Sequence, residues 1–290
     1  MDDTAGSTRV GRTNVDEATV QGFGEEWATF DYAAESREAL QELEDVFNLY
    51  FAVFPWDALP EGAEGFDAGC GSGRWARFVA PRVGRLHCVD ASPEALAVAK
   101  RNLRREANCE LHCASVSELP FADGTMDFGY SLGVLHHIPD TLEGLRACVR
   151  KLKPGAPFLL YLYYALDNRP ALFRAIWRGS DLARRGIARL PFPLRYGVSQ
   201  VIAGTVYYPL ARTARALERL GVDVQSVPLS AYRERSFYVM RTDALDRFGT
   251  KLERRFTRRE MDELMRSAGL TDIRFHEASP FWTAVGYRAR

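Results

Sequence analysis

From Gly65 to Tyr164 the chain alternates short apolar runs with stretches of helical spacing, and this restricts the fold more than anything else in its 290 residues. A helix between two strands returns the chain to the same end of the sheet, so repeated units build a parallel sheet covered by helices. Strands are expected at Phe66 to Ala68, Leu86 to Asp90, Glu110 to Ala114, Asp127 to Ser131 and Phe158 to Tyr164. Helices are expected over Arg74 to Val79, from Pro93 towards Arg105, and over Thr141 to Leu152. Ser92 can cap the second helix and proline suits its first turn. Farther on, Thr257 and Glu260 form a capping box for a helix reaching Ala268, followed by Thr271 to Glu277 and Phe281 to Tyr287 as an antiparallel pair.

The flanks differ in character. Residues 1–20 are polar and small and read as a flexible end. Residues 21–60 read as a helical segment: Phe23, Trp27 and Phe30, then Leu40, Leu43, Phe47, Tyr50 or Phe51 and Phe54 recur at helical spacing until Pro55. The sheet-forming domain covers 61–164 and 257–290. Between its parts, 165–256 reads as an inserted helical cap in which Arg174, Arg178, Arg184, Arg185 and Arg189 accompany Phe173, Ile176, Trp177 and Ile187. A second helical stretch carries Val198, Val201, Ile202 and Val206, bends at Pro209 and continues with Arg212, Arg215 and Arg219 on one face.

With 47% apolar and 26% charged residues the chain can bury a full core, which excludes wholesale disorder. Lys plus Arg equals Asp plus Glu at 38 each, which argues against a globally basic nucleic-acid binder. The charges are segregated: residues 1–64 hold 15 acids against 3 bases, and residues 165–256 hold 17 bases against 8 acids. The two regions can attract each other, or the basic one can attract an anionic ligand. The five cysteines form no C-x-x-C pair and no metal-ligand spacing with the histidines, so neither a disulfide framework nor a metal site is expected. The acidic start lacks the apolar core of a signal peptide, and Val198 to Leu210 is too short to span a bilayer. The expectation is a soluble cytoplasmic protein.

Asp67-Ala68-Gly69-Cys70-Gly71-Ser72-Gly73 joins the first strand to the next helix, at the crevice where open α/β sheets bind ligands. Its glycines let backbone approach a ligand closely. Asp90 ends the next strand, where a carboxylate can accept both hydroxyls of a ribose. A nucleoside cofactor follows, of one of two classes. Gly71-Ser72-Gly73-Arg74-Trp75-Ala76 fits the G-x-G-x-x-A variant of the dinucleotide fingerprint. Asp67, however, would repel a pyrophosphate and suits the ammonium group of an amino-acid-bearing cofactor.

An ordered train of landmarks decides between them. After Phe66 to Gly73 come Val89-Asp90-Ala91-Ser92, Leu119-Pro120-Phe121, Met126-Asp127, Leu135-His136-His137-Ile138-Pro139-Asp140 and Leu152-Lys153-Pro154-Gly155. The stretch from Gly65 to Tyr164 thereby resembles the class I S-adenosylmethionine-dependent methyltransferases, in their small-molecule and quinone branch, with a weaker echo over Thr257 to Tyr287. The resemblance implies a doubly wound, Rossmann-like, mostly parallel seven-stranded sheet with an antiparallel last strand. It implies S-adenosylmethionine as cofactor, with Asp67, Gly69, Cys70 and Gly71 around the methionine portion and Gly73 easing entry into the helix. Asp90 would bind the ribose, Ala91 would lie along the adenosine, and Ser131 would stand near the reacting end. Two positions depart from the family. Ser115 and Val116 replace an Asp-Ala pair near the adenine, and Ala63-Glu64-Gly65 replaces a β-branched run, which should shorten the first strand.

Methyl transfer needs an in-line nucleophile, and a base when the acceptor carries a proton. His136 and His137 follow the fourth strand and are the base candidates, with the choice between them open. Tyr161 and Tyr163 would position the acceptor. In the cap, Tyr232, Arg233, Arg235, Tyr238 and Arg241 combine aromatic surface with guanidinium groups that grip carboxylate or phosphate. The expected function is methylation of oxygen or nitrogen on a small, anionic metabolite. The alternative is a lipid-like or quinone acceptor, with the arginine-flanked cap resting on a membrane. An RNA methyltransferase and a non-catalytic cofactor-binding module complete the field, and no nucleic-acid partner is expected.

Overall fold

The structure is a computed structural model that describes residues 14–29, 37–167, 170–224, 227–277 and 282–290. Strands β1 (Glu64–Ala68), β2 (Arg85–Asp90), β3 (Cys109–Cys113), β4 (Phe128–Leu132), β5 (Pro157–Tyr161), β6 (Leu270–Phe275) and β7 (Thr283–Arg288) form one sheet in the order β3-β2-β1-β4-β5-β7-β6. β1 to β5 pair in parallel, whereas β7 runs antiparallel to both β5 and β6. The seven-stranded architecture with its antiparallel last strand is therefore as expected. The order reverses at β1 and β4, which opens a crevice at their carboxyl ends.

The described helices are α1 (Glu17–Thr29), α2 (Arg37–Tyr50), α3 (Ala76–Val79), α4 (Pro93–Asn102), α5 (Thr141–Lys151), α6 (Ala171–Ile187), α7 (Phe192–Ile202), α8 (Tyr208–Arg219), α9 (Phe237–Gly249) and α10 (Arg258–Ser267). Strand alternation divides the sheet's side chains between two layers. Leu86, Cys88, Phe128, Tyr130 and Leu159 pack with Phe47, Phe51, Ala76 and Ala99 from the helices of one side. Phe66, Val89, Phe158 and Leu160 pack with Leu145, Cys148, Met261 and Met265 of α5 and α10 on the other. A third, smaller cluster of Ala203, Tyr207, Ala211, Met240, Ala244 and Phe248 holds the cap helices together.

Several boundaries move from their expected places. The end expected to be flexible already contains α1, and Asn14 donates to the Ser117 hydroxyl at 3.0 Å, so residues 14–20 belong to the body. Phe30 and Phe281, expected in α1 and β7, lie outside the described residues. β1 is five residues long despite its glycine, and the reason is packing: a Cβ on Gly65 would come within 2.3 Å of the Phe128 ring opposite. Gly129 admits Phe66 in the same way, from the other side of the β1–β4 pair.

In the cap, the bend expected at Pro209 appears just ahead of it as a π-helical turn over Ala203–Tyr207. Proline has no N–H for the carbonyl four residues back and its ring crowds that carbonyl, so the wider turn relieves the clash. The acidic front and the basic cap do meet. Arg195 pairs with Glu25 at 2.7 Å, and the backbone N–H of Ser236 donates to Glu42 at 3.0 Å. Among the described residues no helix is long and apolar enough to cross a membrane.

Candidate active site

A cavity of about 590 Å³ lies between the carboxyl ends of β1, β2, β4 and β5, the N-terminal helices and the cap. Its floor is the loop after β1. Gly69 and Gly71 have φ of +86° and +53°, which side-chain-bearing residues adopt only with strain. A Cβ at Gly69 would also stand 2.4 Å from Val134, so the loops after β1 and β4 touch only because that carbon is missing. Gly71 is covered by Trp27 of α1, over which the Arg74 guanidinium lies at 4.9 Å.

Of the expected cofactor residues, Gly69, Cys70, Gly71, Asp90, Ala91, Ser115 and Val116 line this cavity together. Asp90 accepts the Gly71 N–H on one oxygen at 2.9 Å and the Ser92 N–H on the other at 2.8 Å. A carboxylate at the end of β2, in the cavity wall, suits the diol of a ribose. The bare backbone of the floor and this acid at the adjoining strand end fit S-adenosylmethionine.

Three expected cofactor contacts are placed elsewhere. Ser131 is fully buried and donates its hydroxyl to the Ala68 carbonyl at 2.8 Å, clipping β4 to β1 instead of reaching a ligand. Gly73 packs under Leu103 at the end of α4. Asp67 stays in the sheet beside Tyr130, only 1% exposed, and its Oδ2 has no hydrogen-bond partner among the described residues. Burial pushes its carboxyl up to about 8; Asp90 adds to that, while the Tyr130 hydroxyl and Arg74 pull the other way.

The two histidines, equivalent in the sequence, part company in space. Both lie in a 3-10 turn, Leu135–His137, after β4. His136 is fully buried, stacks on Tyr163 with ring centres 4.0 Å apart and does not line the cavity. His137 does line it. Its Nδ1 lies 2.7 Å from the Leu252 carbonyl, which can only accept, so Nδ1 carries the proton and Nε2 the lone pair. Nε2 has no partner among the described residues. Burial is the first cause holding His137 below the usual imidazole range, with Asp246 and the Leu252 bond opposing it. The ring is therefore neutral at pH 7.

Much of the wall is aromatic, with Phe23, Tyr50, Tyr161, Tyr163, Trp177 and Tyr232 all lining it. Tyr163 donates its hydroxyl to Asp246, and Tyr232 bonds to Asp243. Burial first, then Asp246, pushes the Asp243 carboxyl up to about 6. Of the residues expected to grip an anion, Tyr232 and Arg235 line the cavity and the others do not. Arg233 is tied to Glu218 at 2.6 Å, Arg241 donates to Gln200 and Tyr196, and neither they nor Tyr238 line the cavity. The arginines that do are Arg74, Arg235, Arg247 and Arg255, which share the wall with Glu42, Asp243 and Asp246. These last were not singled out in the sequence; Phe23 and Trp27 were visible there, but as packing.

Residues 66–160 match the family described as "Methyltransferase domain". Over 130 residues the chain is 32% identical to the ubiquinone biosynthesis O-methyltransferase of Xanthomonas campestris pv. campestris, covering 44% of this chain and 53% of the relative. Over 101 residues it is 33% identical to the demethylmenaquinone methyltransferase of Bacillus licheniformis, covering 33% and 43%. The chain thus spans about half the length of the curated relatives it matches. Among solved structures, the CurJ carbon methyltransferase superposes with a TM-score of 0.51 over 86% of this chain and 55% of its own, at 12% identity, a likeness of fold alone. Family match, strand order and the glycine floor beside Asp90 agree: residues 66–160 form a methyltransferase domain, similar to those of class I S-adenosylmethionine-dependent methyltransferases.

Proposed function

We propose that the protein methylates a hydroxyl group on a small, largely apolar, ring-bearing acceptor. The observation that carries this reading is the state of His137, a residue of the cavity wall: neutral, its Nδ1–H committed to the Leu252 carbonyl, its Nε2 buried and unpartnered among the described residues. Bound S-adenosylmethionine supplies a methyl group on a cationic sulfur. Asp90 holds the ribose, the loop from Gly69 to Gly71 gives backbone contact, and Tyr161 and the aromatic wall orient the acceptor ring. His137 takes the hydroxyl proton at Nε2, and the Leu252 carbonyl steadies the imidazolium that results. Burial under Phe23, 4.9 Å from the His137 ring, keeps water away from that proton transfer.

The names of two relatives support the acceptor class, since one belongs to ubiquinone biosynthesis and the other acts on demethylmenaquinone. Of the arginines behind the anionic acceptor expected from the sequence, Arg233 and Arg241 are engaged outside the cavity, and Arg235 in its wall faces Glu42 at 3.9 Å. The test is His137→Asn, whose amide can keep the bond to Leu252 while removing the base. With a panel of hydroxylated quinols and phenols, kcat is expected to fall by about 10²–10⁴-fold with KM and cofactor affinity nearly unchanged. A loss of less than about threefold would remove His137 from the chemistry.

A lipid-borne acceptor is favoured by one further observation. Between Arg195, which is buried, and Arg212 no residue of α7, the π turn or α8 is charged, yet Val201, Val206, Tyr208 and Leu210 are exposed. Val206, Leu210 and the exposed Ile176 also line the cavity, so the apolar surface runs into its mouth. On α6 the exposed Arg174, Arg178 and Arg185 supply positive charge for an anionic bilayer.

A further inference from the structure

We propose that His87, Glu110 and His112 form a binding site for one zinc ion, outside the cavity and independent of the methyl-transfer reading. No spacing in the sequence announces it, because the three ligands come from two strands that only the sheet brings together. In the β2–β3 register His87 stands opposite Glu110, and His112 follows two residues later, so all three side chains project from one face. Among the described residues these are the three histidine, cysteine or acidic side chains close enough to share an ion, and none lines the cavity.

The spacing suits a tetrahedral ion. Donors about 2.0–2.1 Å from zinc lie roughly 3.3 Å from one another. His87 Nδ1 is 2.9 Å from His112 Nε2 and 3.5 Å from Glu110 Oε2, values on either side of that separation.

Two of the ligands are held by outer partners. Glu64 Oε1 lies 2.8 Å from His87 Nε2 and accepts its proton, which leaves the lone pair on Nδ1. Carboxylate-oriented histidine is the usual arrangement around protein-bound zinc. Arg85 Nε sits 3.4 Å from Glu110 Oε1 and occupies that oxygen, leaving Oε2 for the ion. Phe121 closes one side, its ring centre 5.2 Å from that of His87 and 6.3 Å from that of His112. His112 is half-buried and Glu110 exposed, so the ion has a way in and a fourth position is left for water. With two imidazoles and a carboxylate the donor set belongs to zinc, not to magnesium or calcium.

The experiment is calorimetric titration of the untagged, chelator-treated full chain with Zn²⁺, with Mg²⁺ as control and thermal unfolding as a second readout. Saturable 1:1 binding and a higher Tm with Zn²⁺ alone are expected. His112→Gln and Glu110→Gln should each weaken binding at least tenfold, and Glu64→Gln by about 10–100-fold, as loss of an orienting partner does. Cys113 is exposed beside His112, so Cys113→Ser must leave the affinity unchanged. Absence of 1:1 binding overturns the site, as does full affinity in His112→Gln or loss in Cys113→Ser. The cluster would then be a hydrogen-bonded chain from Glu64 through His87 to His112. A loss of methyl transfer in His137→Asn would leave this titration untouched.

Discussion

Asp67 shows how far a single residue's chemistry can depart from its letter in the sequence. Its position before the glycines was legible; its complete burial was not, because that follows from Tyr130 and the covering helices. With the carboxyl raised to about 8, the folded chain keeps a proton that the unfolded chain, near pH 4, has already released. Its contribution to stability is therefore complete below about pH 4 and lost as the pH climbs through about 8. Asp67→Asn is neutral throughout, so its Tm relative to the parent is expected to rise by several degrees between pH 5 and pH 8.5. Parallel thermal scans check this, and an equal difference at both pH values would contradict it. His136 and His137 act with the opposite sign, because burial lowers both. They are neutral in the fold and take up protons on unfolding, so their contribution is present above about pH 6.5 and lost on acidification. Comparing variant with parent at each pH cancels that background.

Elements were legible where their causes are local. The box at Thr257 is one such case. The Thr257 hydroxyl accepts the Glu260 N–H at 3.2 Å and the Glu260 carboxylate accepts the Thr257 N–H at 2.8 Å, as the four-residue pattern predicts. Since α10 seats Met261 and Met265 in the core, Thr257→Ala is expected to cost about 0.5–2 kcal/mol. Urea unfolding measures that directly, and an unchanged midpoint would mean the cap contributes nothing. β5 was overrun for the converse reason. Apolar character continues to Tyr164, but Leu132 of β4 and Thr283 of β7 are both opposite Tyr161, and past it neither neighbour offers a ladder. Hydrogen-bond partners end a strand, and here one of them is supplied from more than a hundred positions away.

At the scale of the molecule the active site depends on meetings that no window of sequence contains. The bond that selects the His137 tautomer reaches Leu252, 115 residues on, and the cap is tied by Arg195 to Glu25 across 170. Such pairs could be anticipated only as opposite charge in the two regions, not as particular contacts. The exposed apolar face of α7 and α8 has a consequence at this scale too. The protein is expected to sediment with vesicles containing anionic phospholipid and far less with zwitterionic ones, losing most of that binding in Val201→Asp with Leu210→Asp. Equal recovery of parent and variant would leave the face to another partner; gel filtration with light scattering would identify a second copy.

The cap begins and ends at one place. Tyr164 and Phe256 pair as an isolated bridge, with the Phe256 N–H donating to Tyr163 and the Ala165 N–H to Phe256, each at 2.8 Å. Nearly a hundred residues hang from this narrow neck while the strands on either side keep their own register. Exchange of this segment would leave the strand register alone, while its ties to α1 and α2 through Arg195–Glu25 and Ser236–Glu42 would have to be rebuilt. The returning strip that includes Leu252 would have to be kept as well, or the His137 imidazole loses the carbonyl that fixes which nitrogen carries its proton.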